Sequence, residues 1–398
     1  MSRKSQRLVY RNGHQVKLLQ SGEEFFAAVE EIINSASKYI HFQAYILDED
    51  ETGVRMVDAL IRAAGRGVKV YFLLDAYGTK YLSDELVKRI DKSGIFFRFF
   101  SPTFITKGFQ LSLRLHSKVV LADGEVAVIG GMNFANRYHG SANKKAWLDF
   151  AVSIRGPELV HLLDVVKRLW NKTFISKQEK ATEYIPVPRS YPDNIAVRIL
   201  ENNWTKNKIE ILKGYRAIFR KADKSIILFA SYFLPGRNER KLMRLASMRG
   251  VDITIVFSAE SDAAVFERAT RFLYDFILRN NIKIYEYTPS NLHAKVASVD
   301  SRWCTVGSYN LNHLSDYGSV EINAAILDEA FTRDFESKLH EIIKNDCRQI
   351  TPDVYKKRKS WIYSVRGWMA YQLIRFMMRV MFRLTTKRKI IKTYRETQ

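Results

Sequence analysis

The sequence predicts an α/β protein of two similar halves, each with helices packed on a sheet, followed by a basic helical tail. Three observations predict it. A five-position cassette occurs twice at identical offsets. Each half runs strand, helix, strand in the same order. A proline-bearing stretch separates the two copies.

In the first half a helix-like segment leads into an apolar run over residues 38–45, and its counterpart in the second half covers 224–232. A helical stretch ending in Gly follows each, Val57 to Gly67 and Lys241 to Gly250. A second apolar run comes next, Val68 to Leu74 and Val251 to Phe257. The stretch Gln178–Asn194 carries Pro186, Pro188 and Pro192, three of the eight prolines, and little apolar periodicity. It reads as the linker, so the expected units are 1–180, 195–350 and a tail 351–398.

The cassettes read His116-Ser117-Lys118, Asp123, Gly130-Gly131-Met132-Asn133, and His293-Ala294-Lys295, Asp300, Gly307-Ser308-Tyr309-Asn310. In each, two short apolar strands flank an Asp-led turn. That hairpin brings His, Lys and Asn to one rim. Asp123 and Asp300, although members of the catalytic cassette, fall at the turn end, where a structural role is expected.

The net charge of +22 calls for an anionic partner, either nucleic acid or an acidic membrane surface. Residues 351–398 hold 13 Lys and Arg against 2 Asp and Glu, about half of that excess. Cys304 and Cys347 have neither metal nor disulfide spacing and read as free thiols. No apolar segment follows the basic Met1–Arg7, and no run of about 20 apolar residues exists, so neither signal peptide nor transmembrane helix is expected.

Two facing histidines suit phosphodiester chemistry. One attacks phosphorus; the other protonates the leaving alcohol and then deprotonates the acceptor. Lys118, Lys295, Asn133, Asn310 and Ser308 are the expected donors to the phosphate oxygens. No cofactor is expected, and no metal, since the lysines stand in for the cation. A nucleophilic imidazole needs its other nitrogen held by an acceptor. Asp149 and Glu321 are the candidates, because each leads into an apolar strand at a comparable place in its half. His14, His41, His139, His161, His313 and His340 lack a repeated partner and read as surface or packing residues.

The doubled His-x-Lys-x4-Asp-x6-Gly-Gly/Ser-x-Asn pattern resembles the phospholipase D superfamily. Residues 45–48, 75–78 and 232–235 make the chain similar, within it, to bacterial cardiolipin synthases, over roughly residues 15–345, and the expected lack of amino-terminal transmembrane helices makes it resemble the B type most. The resemblance implies two α/β/α sandwiches about a pseudo-twofold axis with the site in the cleft between them. It implies transfer of a phosphatidyl group between phospholipids, with phosphatidylglycerol as acceptor and phosphatidylethanolamine as a possible donor. It also implies His116 as nucleophile, His293 as acid/base, and Asp149 and Glu321 behind the histidines. A hydrolytic phospholipase D and a phospholipase D-type nuclease are the rival readings. Two complete cassettes in one chain and the character of the tail weigh against nucleic acid.

That tail carries Trp361, Tyr363, Trp368, Tyr371, Phe376, Met377, Met378, Met381 and Phe382, with Arg375, Arg379 and Arg383 one turn apart. It suits a helix lying in the headgroup layer of an anionic membrane, on the cytoplasmic face of a bacterial cell. Residues 99–109, just before the first cassette, are a second candidate for lipid contact. Oligomeric state is not legible.

Overall fold

The computed structural model describes residues 9–101, 113–172, 180–182, 188–358 and 360–396. The first half holds β1 (Arg11–Gln20), α1 (Glu23–Ser35), β2 (Tyr39–Ala44), α2 (Glu51–Gly65), β3 (Lys69–Asp75), α3 (Asp84–Asp91), β4 (Phe96–Phe100), β5 (Arg114–Leu115), β6 (Lys118–Ala122), β7 (Val126–Gly130), α4 (Asn136–His139), β8 (Phe150–Arg155) and α5 (Leu159–Asn171). The second holds β9 (Ile195–Asn203), β10 (Lys208–Ile209), α6 (Glu210–Lys221), β11 (Ser225–Ala230), α7 (Arg237–Met248), β12 (Asp252–Ser258), α8 (Ala264–Phe272), α9 (Tyr274–Arg279), β13 (Lys283–Tyr287), β14 (Lys295–Val299), β15 (Trp303–Gly307), α10 (His313–Tyr317), β16 (Ser319–Leu327), α11 (Glu329–Asp346) and β17 (Cys347–Gln349). Then come α12 (Pro352–Arg358) and α13 (Trp361–Glu396).

The two sheets repeat one another. The first runs β1-β8-β7-β6-β2-β3-β4, with β2, β3 and β4 parallel and the rest antiparallel. The second runs β9-β16-β15-β14-β11-β12-β13-β17, with β11, β12 and β13 parallel. The edge strands β1 and β9 pair with each other near Arg11 and His14, joining the sheets. The equivalent helices α2 and α7 stop in the same way. Gly67 and Gly250 follow them at φ of 87° and 90°, where a side chain would be strained.

Strand alternation divides the core into three parts. On one face of the first sheet, Ile40, Phe42, Val70 and Phe72 pack under α1 and α2. On one face of the second, Ile226, Leu228, Ile253 and Ile255 pack under α6 and α7. The opposite faces meet in a single cluster with α5 and α11, where Val152 and Ile129 share space with Val306 and Ala324. Phe150 bridges the halves, with ring contacts to Phe229 at 6.5 Å and Phe335 at 5.6 Å. The two α/β/α halves therefore share one apolar core cluster.

The tail differs from the detached element expected. The inward face of α13 (Ala370, Tyr371, Ile374, Met378) is part of the second half's core. Gly367 sits over Arg268 and Phe272 of α8, where a Cβ would meet both at 3.3 Å. The outward face leaves Trp368, Met369, Leu373, Phe376 and Met377 exposed. The side chains of Tyr363, Arg379, Met381, Phe382 and Arg383 lie outside the described residues, as do residues 102–109 of the other lipid-contact candidate and parts of the linker. Among the described residues no helix is long and apolar enough to cross a membrane.

Candidate active site

The cassettes form hairpins: β6 pairs with β7 and β14 with β15, each antiparallel. Asp123 and Asp300 occupy the turns at φ of 55° and 54°. Asp123 accepts from the backbone amides of Ser37, Lys38 and Tyr39, each at 2.8 Å. Asp300 accepts from Asp223, Lys224 and Ser225 at 2.8 to 3.0 Å. Each carboxylate thus ties the hairpin to the start of the adjacent strand, β2 or β11, far along the hairpin from the histidine.

The histidines are held across the boundary between the halves. His116 Nδ1 lies 2.9 Å from Glu321 Oε2, and His293 Nδ1 lies 2.7 Å from Asp149 Oδ2. Each half therefore supplies one histidine and the carboxylate for the other half's histidine. Matching backbone bridges set this up. The His116 amide donates to Val320 O at 3.0 Å, and the His293 amide donates to Leu148 O at 2.8 Å. Both carboxylates are fully buried.

Each lysine donates to the carbonyl of the histidine two residues before it, Lys118 Nζ to His116 O at 2.7 Å and Lys295 Nζ to His293 O. Lys295 also donates to Ser231 Oγ at 2.8 Å. Tyr45 packs edge-on against His116 at 5.0 Å, and its counterpart Tyr232 packs against His293 at 6.0 Å. Asn133 and Asn310 reach the same cavity. Asn133 accepts from the Ile46 amide and donates to Tyr138 Oη at 2.9 Å. Asn310 Oδ1 accepts from Ser231 Oγ at 2.9 Å, which aims its amide nitrogen elsewhere.

Ser308 departs from its expected place among the phosphate donors. Its Oγ is fully buried and donates to Glu321 Oε2 at 2.6 Å. It stands behind His116 rather than beside a substrate. In the first cassette the equivalent residue is Gly131. A Cβ there would lie 2.6 Å from both Asp149 oxygens, so the glycine makes room for the shorter, closer carboxylate.

This difference between the cassettes shapes the electrostatics. Burial pushes Glu321 up, but His116, Lys118 and the Ser308 hydroxyl outweigh it and hold it below the usual range. Asp149 lacks such a hydroxyl. Burial pushes it up to about 7 against Lys295, the Phe150 amide and Lys118. Burial also lowers both imidazoles; His293 falls further because Lys295, Lys118 and His116 add like charge. Burial lowers Lys118 to about 7 and Lys295 to about 8.

Each lysine is cationic below its pKa and neutral above it, so phosphate capture weakens as pH rises. The value of kcat/KM, which reports the free enzyme, is expected to fall through pH 7 to 8. A flat profile from pH 7 to 9, measured on detergent-dispersed lipid, would contradict the assignment of the lysines as the phosphate-binding charge.

The cavity over these groups is about 570 Å³, within the roughly 300–1,000 Å³ usual for ligand sites. It also exposes residues that the repeat did not reveal. Arg114 lies over Tyr77 at 5.1 Å, Arg137 over Trp147 at 5.4 Å, and Asp262 accepts from Tyr232 Oη at 2.7 Å. The positions equivalent to Arg114 and Arg137 in the second cassette are Asn291 and Leu314. A signal read from repetition could not find them; proximity to the first cassette was the available clue. Among the described residues no cluster of three His, Cys, Asp or Glu could hold a metal ion.

Known proteins resemble this chain in sequence and in fold. The family described as "Cardiolipin synthase, PLD-like domain" matches residues 29–170 and 215–343. Cardiolipin synthase B of Salmonella typhimurium is 32% identical over 88% of this chain and 86% of that protein. Cardiolipin synthase B of Escherichia coli is 31% identical over the same shares. Cardiolipin synthase 1 of Bacillus cereus is 30% identical over 84% of this chain and 65% of its own. In fold, phosphatidylserine synthase of Haemophilus influenzae superposes over 94% of this chain and 95% of its own, with a TM-score of 0.68 at 15% identity. The chain belongs to the phospholipase D-like cardiolipin synthase family, as a phosphatidyltransferase that moves a phosphatidyl group between phospholipids.

Proposed function

We propose that the transfer runs through a phosphohistidine on His116 and delivers the phosphatidyl group to the glycerol hydroxyl of phosphatidylglycerol. The observation that carries this reading is the crossed pair of His–carboxylate dyads lining one cavity with two lysines. The ionised Glu321 fixes the proton on His116 Nδ1 and leaves Nε2 as nucleophile. Attack forms the P–N bond and breaks the bond from phosphorus to the headgroup oxygen. Burial raises Asp149 to about 7, so the His293–Asp149 dyad holds a proton to give that oxygen. It then takes the proton of the acceptor hydroxyl as the P–N bond breaks. Lys118, Lys295, Asn133 and Asn310 stabilise the charge on the non-bridging oxygens, work for which no metal is needed.

Purified protein supplied with labelled phosphatidylglycerol in EDTA is expected to form cardiolipin and free glycerol. Labelled phosphatidylethanolamine tests the second donor. Phosphatidic acid as the main product would assign the hydrolase instead. Activity restored only by a metal would show that the lysines do not supply the stabilising charge.

We further propose that the enzyme sits on the anionic cytoplasmic face of the membrane through the outward face of α13. Trp368, Phe376 and Met377 form an exposed apolar stripe on a chain with large positive charge. Trp368→Ser with Phe376→Ser is expected to weaken sedimentation with phosphatidylglycerol vesicles by ~10-fold or more, from the apolar area lost at the interface. Turnover of detergent-dispersed short-chain lipid should be retained. Unchanged sedimentation would move the membrane contact elsewhere. Removing all of residues 354–398 is a poorer test, because it strips Tyr371, Ile374 and Met378 from the core.

A further inference from the structure

A second groove lies on the other side of α10 from the catalytic cavity. Its volume is about 600 Å³, as large as the catalytic one. One wall is the inward edge of α13, with Tyr371, Ile374, Arg375 and Met378. The facing wall is the segment leading into α7, with Leu234 and Pro235, and the first turn of that helix, with Arg237 and Arg240. His313 and Tyr317 of α10 close it, while Leu314 and Ser315 of the same helix line the catalytic cavity.

The chemistry of the groove is divided. Leu234, Pro235, Ile374, Met378 and the rings of Tyr317 and Tyr371 make an apolar floor. Among the described residues four arginines line it and only one carboxylate, Glu239, which is taken by Arg216 at 2.6 Å. Among the described residues no carboxylate pairs with Arg237, Arg240 or Arg375. Arg240 and Arg375 instead stack on Tyr371, at 5.8 Å and 5.3 Å. His313 is held by Asp316 at 3.1 Å. Three arginines without counter-charge around an apolar slot match an anion that carries a hydrocarbon chain.

We infer that this groove binds one anionic phospholipid, separate from the substrates in the two-histidine cavity. Its phosphate lies among Arg237, Arg240 and Arg375, and an acyl chain lies along Ile374 and Met378. The helix that bounds the groove also carries the exposed apolar stripe, so the lipid is held where the protein meets the bilayer. Neither the transfer reaction nor the assignment of His116 is needed for this binding.

The test uses the full chain carrying His116→Ala, so that lipid is not consumed, in detergent with long-chain phosphatidylglycerol. Native mass spectrometry counts the lipids held. Adding Arg237→Glu with Arg375→Glu, one change on each wall, is expected to remove one lipid per chain. Phosphatidylcholine should fill the site at least ~10-fold less well, and excess inorganic phosphate should not displace the lipid. The milder Arg237→Gln with Arg375→Gln should give the same loss with an unchanged melting temperature, which separates lost binding from lost folding. An unchanged lipid count in both pairs overturns the inference. So does displacement by inorganic phosphate alone, which would make the groove a plain anion site. Failure of the wild-type protein to synthesise cardiolipin would leave this count unaffected.

Discussion

Alanine at His116 or at His293 is expected to reduce phosphatidyl transfer by at least ~10³-fold, since positioned proton transfer alone contributes roughly 10²–10⁴ and the covalent route is lost with the nucleophile. The two losses should differ in kind. Without His116 no covalent adduct forms. Without His293 the leaving oxygen is not protonated, yet the nucleophile and its ionised Glu321 remain, so a slow adduct should accumulate and be trapped by rapid quenching. Neither change should unfold the chain. Glu321 keeps the hydroxyls of Ser308 and Ser319 at 2.6 and 2.8 Å, and Asp149 can hold a proton. Substantial turnover in either variant would end the model of one shared site. An adduct on His293 would exchange the two roles and leave the rest standing.

The second large effect is expected at Glu321. Glu321→Gln should lower kcat on the order of 10³-fold with little change in KM, in line with the cost of losing an orienting carboxylate behind a catalytic histidine. The amide still accepts from His116, but carries no charge to stabilise the imidazolium that develops as phosphorus is attacked. Asp149→Asn should cost less, about tenfold to a hundredfold, because Asp149 is already partly neutral near pH 7. Ser308→Ala should shift activity in the direction of Glu321→Gln, since the hydroxyl helps keep Glu321 ionised. Full wild-type kcat in Glu321→Gln, across the pH range, would reduce both carboxylates to packing residues.

The parts of this molecule that repeat were readable from the chain. Residues 38–45 and 224–232 contain β2 and β11, and the glycines at 67 and 250 mark where α2 and α7 end, because periodicity and αL geometry are local properties. The hairpins predicted where Asp123 and Asp300 would lie, since a two-strand turn leaves no other option. What was not readable depends on distance. Nothing local says that His116 meets a carboxylate 205 positions away rather than one in its own half. Ser308 looked like a phosphate donor because a hydroxyl beside a catalytic rim usually faces substrate; only the fold shows Glu321 behind it. The tail was legible as amphipathic but not in its division. Helical spacing marks Tyr371, Ile374 and Met378 as one face without saying that α8 covers it.

The crossed dyads have a consequence for how the enzyme comes into being. A chain ending at the linker would hold His116 and Asp149, one histidine and one carboxylate, but no working pair. The same is true of a chain beginning there. Activity must therefore appear only at the last stage of folding, when contacts spanning 144 and 205 positions close together. Helical and sheet signals should recover first and turnover should lag behind them, as high contact order demands. By the same logic, the halves expressed as two polypeptides and divided within residues 178–194 should be inert apart and active when mixed, which makes this fold a natural split reporter.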